Sequence, residues 1–198
     1  MNIELGFKEK DRSQAAALYA NAFKRKFAHL IGSEEDVIAL LVKGLDPERC
    51  FCYYKDDKLV GLAGFHKGKE GLVNITLSDF VSRFGLVKGL TKGFMSAIIF
   101  HRNPVSKNEI LMDGIAVDED HRGQGIGSQL FDALFEWTKS HDFEALHLDV
   151  IDENPKAKAL YERLGFQKTA YEKVPRLIEK TIGVSGVTHM RKVISKTE

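Results

Sequence analysis

The period of the apolar residues changes repeatedly along the chain, and each change marks an element. Ile3–Phe7 reads as a short strand, and Asp11–Phe27 then sets Ala15, Leu18 and Ala22 at helical spacing. Ser33, followed by an acidic first turn, is the expected N-cap of a second helix over Ser33–Leu45. Arg49–Phe65 carries two strand patterns around Asp56-Asp57, which predicts a β-hairpin.

From Ser78 to Phe100, Phe80, Phe84, Val87, Phe94 and Ile98 lie close to one stripe, with Pro104 just beyond. This predicts one helix or a broken pair of helices. Gly85, Gly89 and Gly93 recur at every fourth position, the form of a small-residue packing seam. Arg83, Lys88 and Lys92 argue against a lipid-spanning helix, so the seam is expected to pack on the protein's own surface or to mark a kinked segment.

Glu109–Val117 is a strand that runs into a glycine-rich loop, and Ser128–His141 is a helix. Glu144–Ile151 is another strand. Asn154–Phe166 is a helix with Pro155 in its first turn and Gly165 as its stop. Phe166–Val174 and Gly186–Ile194 read as two closing strands.

Composition narrows the field without naming a chemistry. A chain of 198 residues suits one domain, 1–198, with a sizeable core. A net charge of +1 gives no general attraction to nucleic acid or to an acidic membrane. The first residues lack a signal-peptide pattern and no apolar run has spanning length, so a cytoplasmic location is expected. Cys50 and Cys52 are expected to be reduced strand residues. The scattered histidines have no metal-ligand spacing, so no metal is expected, even from Cys50, Cys52 and His66.

The chemistry gathers in the loop Arg122-Gly123-Gln124-Gly125-Ile126-Gly127 before Ser128. Glycines before a helix let several backbone N–H groups converge on a phosphate, and Arg122 would add a charge at the edge. A P-loop would end in Gly-Lys-Ser/Thr, but Ser128 follows Gly127 directly. A dinucleotide fingerprint needs a third glycine where Ser128 stands, although Asp149 has the spacing of a ribose-binding acid.

The loop, preceded by a strand ending Ile115-Ala116-Val117, resembles that of the GNAT superfamily of acyl-CoA-dependent N-acetyltransferases. A second motif agrees with it: Asn154, Ala157, Leu160, Tyr161, Gly165 and Phe166 follow the next strand in the family's order. The resemblance implies an α/β fold with a mixed, mostly antiparallel sheet flanked by helices; the helical segment at 78–103, before the central cofactor-binding strand, departs from the family's usual short turn and is read as an insertion. It implies transfer of an acetyl group from acetyl-CoA to a primary amine of a small molecule, peptide or protein. A CoA-binding sensor or regulatory module is the alternative.

By the same resemblance, the amides of Arg122, Gly123, Gln124, Gly125, Ile126 and Gly127 and the helix start at Ser128 hold the CoA pyrophosphate. Ile115 and Val117 pair with the pantetheine arm, which Asn154 helps to hold. Tyr161 protonates the departing sulfur, and its other reading is a core residue on an apolar helix stripe. Glu109 and Asp113 share strand parity unless a bulge intervenes, and each is a candidate base or acceptor-binding group. His147 and Asp149 on the neighbouring strand are weaker candidates. If Glu109 is the base, Glu109→Gln lowers turnover mainly at low pH. The insertion is expected to wall the acceptor pocket, with a homodimer contact left open.

Overall fold

The computed structural model describes residues 2–194 except 25, 26, 28, 29, 69, 100–104, 177, 178 and 180–182, and of 98 and 99 only the backbone. Seven strands form one sheet: β1 (Ile3–Leu5), β2 (Cys50–Lys55), β3 (Lys58–His66), β4 (Glu109–Val117), β5 (Ala145–Ile151), β6 (Gln167–Lys173) and β7 (Gly186–Val193). Their spatial order is β1-β2-β3-β4-β5-β7-β6. Only the β4–β5 pair is parallel, so the mixed, mostly antiparallel sheet matches the expectation.

The elements start and stop where local chemistry directs. Helix α1 spans Arg12–Ala22, and α2 spans Glu34–Gly44 behind Ser33, whose side chain accepts from the Asp36 N–H. Asp56 and Asp57 both take positive φ, as a two-residue hairpin turn with strand-compatible twist requires. Helix α5 spans Ile126–Ser140, and α6 spans Pro155–Arg163 behind the Asn154 cap. The first helix was expected to reach Phe27, but Phe23 leaves helical geometry at φ −112 and ψ 21. The first strand is also shorter than expected, because Gly6 turns the chain after Leu5.

Both sheet faces carry a core. One cluster joins α1 and α2 to β2, β3 and Ala116, around Leu18, Tyr19, Leu40 and Leu62. The other joins α5 and α6 to the sheet through Ile110, Phe131, Leu134, Leu146 and Phe166. The α1 face of β5 and β7, by contrast, shows His147, Asp149, His189 and Arg191 partly exposed.

The predicted insertion is a pair of helices, α3 (Leu77–Phe84) and α4 (Leu86–Ile99), broken at Gly85. The expected single stripe is split by this break: Phe80 is buried, whereas Val87 and Phe94 are 75% and 67% exposed. The side chain of Ile98, the 100–103 end of the segment and Pro104 lie outside the described residues. The glycine seam packs α4 directly on α3. A Cβ on Gly89 would lie 2.4 Å from Val81 Cα and 2.6 Å from the Phe80 carbonyl oxygen.

Gly89→Ala is therefore expected to destabilise the protein. Overpacking against backbone costs about 1–3 kcal/mol, more than the helix-propensity gain of about 1 kcal/mol. A thermal melt should show the midpoint falling by a few degrees, and an unchanged or higher midpoint would contradict this packing.

Candidate active site

Three register pairs join β4 to β5: Glu109↔Ala145, Ile110↔Leu146 and Leu111↔His147. Beyond them β4 stays with β3 as far as Val117, and β5 stays with β7 as far as Ile151. The parallel strands thus part after Leu111 and His147 and leave a wedge. The register of β4 against β3 slips between Gly64↔Gly114 and Phe65↔Met112, which makes Asp113 the extra residue of a β-bulge. Such a bulge bends its strand and increases local twist, which turns β4 away from β5.

The wedge has a polar wall. The Asp118 N–H donates to the Val60 carbonyl at 2.9 Å. In an antiparallel ladder the direction of bonding alternates, so Ala116 also faces β3 while Ile115 and Val117 turn their N–H and C=O groups into the wedge. These are the two residues expected to pair with an extended arm. Backbone groups without a strand partner must find water or a ligand.

The glycine loop stands at the open end. Gly123 and Gly125 have φ of +76 and +77, and a Cβ on either would meet nothing within 4 Å. Glycine is thus required there by backbone conformation, while the space above the loop stays open. Gly125 caps α5 without any side-chain hydrogen bond, leaving the amides of the first turn, including Ser128, directed outward. Ile126 is buried and anchors the helix in the core, so it offers the loop only its backbone.

The polar side chains brace the loop. Arg122 Nε lies 3.3 Å from the Val117 carbonyl and its Nη1 3.3 Å from Glu119, so the guanidinium folds back instead of projecting over the glycines. Gln124 donates to the Asp120 carbonyl and accepts from Lys55 Nζ at 3.0 Å. Lys55, which the sequence pattern did not single out, brings a cation to the loop from β2. Asp118 accepts from the Asp120 N–H and contacts His121 Nδ1 at 2.8 Å; that histidine contact holds its carboxyl below the usual range.

Tyr161 lies against Phe131 and Phe166 in the α5–α6 core, with ring centroids 5.7 and 6.1 Å away. Burial raises its hydroxyl to about 12. The phenol keeps its proton at neutral pH and sits on the apolar helix stripe. Asn154 Oδ1 accepts the Ala157 N–H at 3.2 Å, a cap that leaves its amide N–H groups unused.

Glu109 and Asp113 lie on the α1 face, opposite Ile110 and Met112, because the bulge changes parity only after Asp113. Their partners differ. Asp113 Oδ2 is 3.3 Å from His66 Nε2, and both atoms are buried. Glu109 Oε1 accepts from Arg191 Nη2 at 2.7 Å and Nε at 3.1 Å, while its Oε2 lies 3.1 Å from His147 Nε2. Burial works to raise the Glu109 carboxyl, but the Arg191 hydrogen bonds and the charges of His147 and Arg191 outweigh it and hold the group below its ordinary value. Farther along, Asp149 contacts His189 Nδ1 at 2.7 Å. Among the described residues no group of three or more His, Cys, Asp or Glu is placed to hold a metal, and no helix is long and apolar enough to cross a membrane.

Residues 16–166 match the model of the Acetyltransferase (GNAT) family. The chain belongs to this family. A segment of 55 residues, 28% of the chain, is 42% identical to the "Uncharacterized N-acetyltransferase YobR" of Bacillus subtilis and spans 22% of that protein's length. A crystal structure described as an acetyltransferase matches 98% of the chain and 99% of its own, with TM-score 0.64 and 25% identity. The ribosomal-protein-S18-alanine N-acetyltransferase of Escherichia coli shares the fold, with TM-score 0.58, 21% identity, and 99% and 95% of the two chains covered.

Arg191, His66 and His189, which contact Glu109, Asp113 and Asp149, were not singled out as GNAT-type site candidates in the sequence. The alternations His147/Asp149 and His189/Arg191 place each pair on one face of its strand, but not the two strands side by side. Arg191→Gln removes both hydrogen bonds to Glu109 and is expected to cost about 1–3 kcal/mol at neutral pH. A carboxylate with a lowered folded pKa adds stability above its unfolded value and loses it as pH falls through the folded one. Denaturant melts of wild type and variant should therefore differ at neutral pH and converge in acid; a gap that persists in acid would refute the electrostatic account.

Proposed function

We propose that this protein transfers an acetyl group from acetyl-CoA to a primary amine. The observation that carries the reading is the β4–β5 wedge: its wall bears backbone groups of Ile115 and Val117 that no strand pairs, and its mouth meets the uncapped start of α5. The residues fit an extended arm ending in a diphosphate. Ile115 and Val117 would pair with the arm, the Arg122–Gly127 amides and Ser128 would take the phosphates, and the Asn154 amide would hold the arm from β5's side. When bound, acetyl-CoA supplies a thioester carbonyl activated toward amines.

The chain's own groups then have distinct tasks. Backbone pairing orients the arm without selecting side chains, and the closed end of the wedge at Leu111 and His147 limits how far it reaches. Tyr161 donates a hydrogen bond to the departing sulfur. A phenol raised to about 12 is a weaker acid than an ordinary thiol at about 8.5. It therefore acts as a relay, giving its proton to sulfur only as it receives one from the acylated nitrogen. Glu109 and Asp113, with Asp149 beyond them, make the α1 face acidic, which suits an amine that arrives as a cation.

The α3–α4 pair packs on the α1–α2 side of the sheet, where Phe80 joins that core. Lys92 donates to the Ile31 carbonyl at 2.7 Å, and Arg83 to Asp36 at 2.7 Å, so both helices are tied to the α1–α2 region. This supports their role as a wall of the acceptor side.

Calorimetric titration with acetyl-CoA tests the cofactor. The wild type should bind in the micromolar range. Gly125→Asp, whose added Cβ meets nothing within 4 Å, strains the left-handed backbone there at a cost small enough for the protein to remain folded, and should fail to bind because it places a negative charge at the loop. Equal binding by both would overturn the loop assignment. Tyr161→Phe preserves the ring packing and should retain binding while losing about 10²–10³-fold in kcat, the scale of general acid–base catalysis. Unchanged turnover would make Tyr161 a core residue only.

A further inference from the structure

Glu109 is an awkward proton acceptor. Arg191 occupies one of its oxygens with two hydrogen bonds, and His147 stands at the other. Its lowered carboxyl also makes it a poor base near neutrality. It lies two residues behind Leu111, the last β4 residue paired with β5, and so about 6–7 Å beyond the closed end of the wedge.

His147 occupies the position Glu109 lacks. It is the β5 member of that last pair, so it borders the closed end directly, where an arm running in from the glycine loop must stop. Its side chain is on the α1 face, 20% exposed, with the buried Nε2 3.1 Å from Glu109 Oε2, a charge contact without hydrogen-bond alignment. A carboxylate at Nε2 stabilises the tautomer that carries the proton there and leaves Nδ1 with a free lone pair. Across the sheet, His66, Leu111, His147, Arg191 and Gln167 form one register row, which fixes the ring between β4 and β7.

We propose that His147 is the general base for the acceptor amine, with Glu109 and Arg191 as positioning residues that set its tautomer and charge. The proposal rests on the acetyl-transfer reading. His147 Nδ1 takes one proton from the acceptor ammonium, and the freed nitrogen lone pair forms the C–N bond at the thioester carbonyl. The C–S bond breaks with its electron pair going to sulfur. The second nitrogen proton passes through Tyr161 to that sulfur, and the imidazolium returns its proton to solvent. The charged and titratable groups facing His147 are Glu109 on β4, Arg191 on β7, and Asp149 with its partner His189; Asp113 and His66 lie across Leu111.

Two measurements test the proposal, beginning with one that needs no acceptor. Nitrogen-15 NMR of the acetyl-CoA-bound protein should show His147 as the Nε2–H tautomer in the wild type and a mixture of tautomers in Glu109→Gln. An Nδ1–H tautomer in the wild type, or a tautomer indifferent to Glu109→Gln, overturns the assignment. Thiol release from acetyl-CoA with spermidine and with a free-amino-terminus peptide is then followed against pH. His147→Gln should bind acetyl-CoA as wild type does, lose at least about 100-fold in kcat and lose the acid limb. Glu109→Gln should keep the acid limb and lose less in kcat than His147→Gln. An acid limb retained in His147→Gln overturns the role of His147 alone. Failure of the wild type to bind acetyl-CoA overturns the acetyl-transfer reading beneath it.

Discussion

The arrangement depends on how briefly β4 and β5 are paired. Three register pairs hold them together, and then each strand follows its other neighbour. Beyond the paired stretch each strand keeps its other neighbour, since β4 is bonded to β3 from Leu111 to Val117 and β5 to β7 along its whole length. The bulge at Asp113 adds twist where the pairing ends, and the wedge is the geometric result. It exposes main-chain groups inside an otherwise bonded sheet, a cost that a ligand with amides of its own can offset.

The wedge also divides labour between the two faces. On the α5–α6 side, the phenol of Tyr161 is surrounded by aromatic rings, and burial keeps it protonated. On the α1 side, carboxylates meet histidines and an arginine, so charge is retained by pairing. The proton donor and proton acceptor that we propose for the reaction need such opposed environments.

Stability and function are coupled in the Glu109–Arg191 pair. A lone carboxylate at this depth would be driven toward its neutral form, and the guanidinium reverses that. The pair links β4 to β7 across β5, so it also holds the closed end of the wedge in register. In the α3–α4 hairpin the close packing is steric: glycines allow backbone-to-backbone contact, and cations at Arg83 and Lys92 fasten it to the α1–α2 region.

Much of this was legible in the sequence because it is local. Caps at Ser33 and Asn154, the Asp56-Asp57 turn and the alternating strands depend on neighbours within a few residues. The glycine loop depends on backbone freedom at two positions, and the family resemblance rested on motifs of the same short range. The stripe around Phe80 and Phe94 left one helix or a broken pair open, and the structure has the pair, broken at Gly85, because periodicity does not register where a helix breaks. What only the tertiary structure decided is pairing at a distance: that Arg191 and His147 meet Glu109, that His66 meets Asp113, and that Lys55 reaches the loop. These contacts join residues up to 82 positions apart, through strand order and register, which no local pattern encodes.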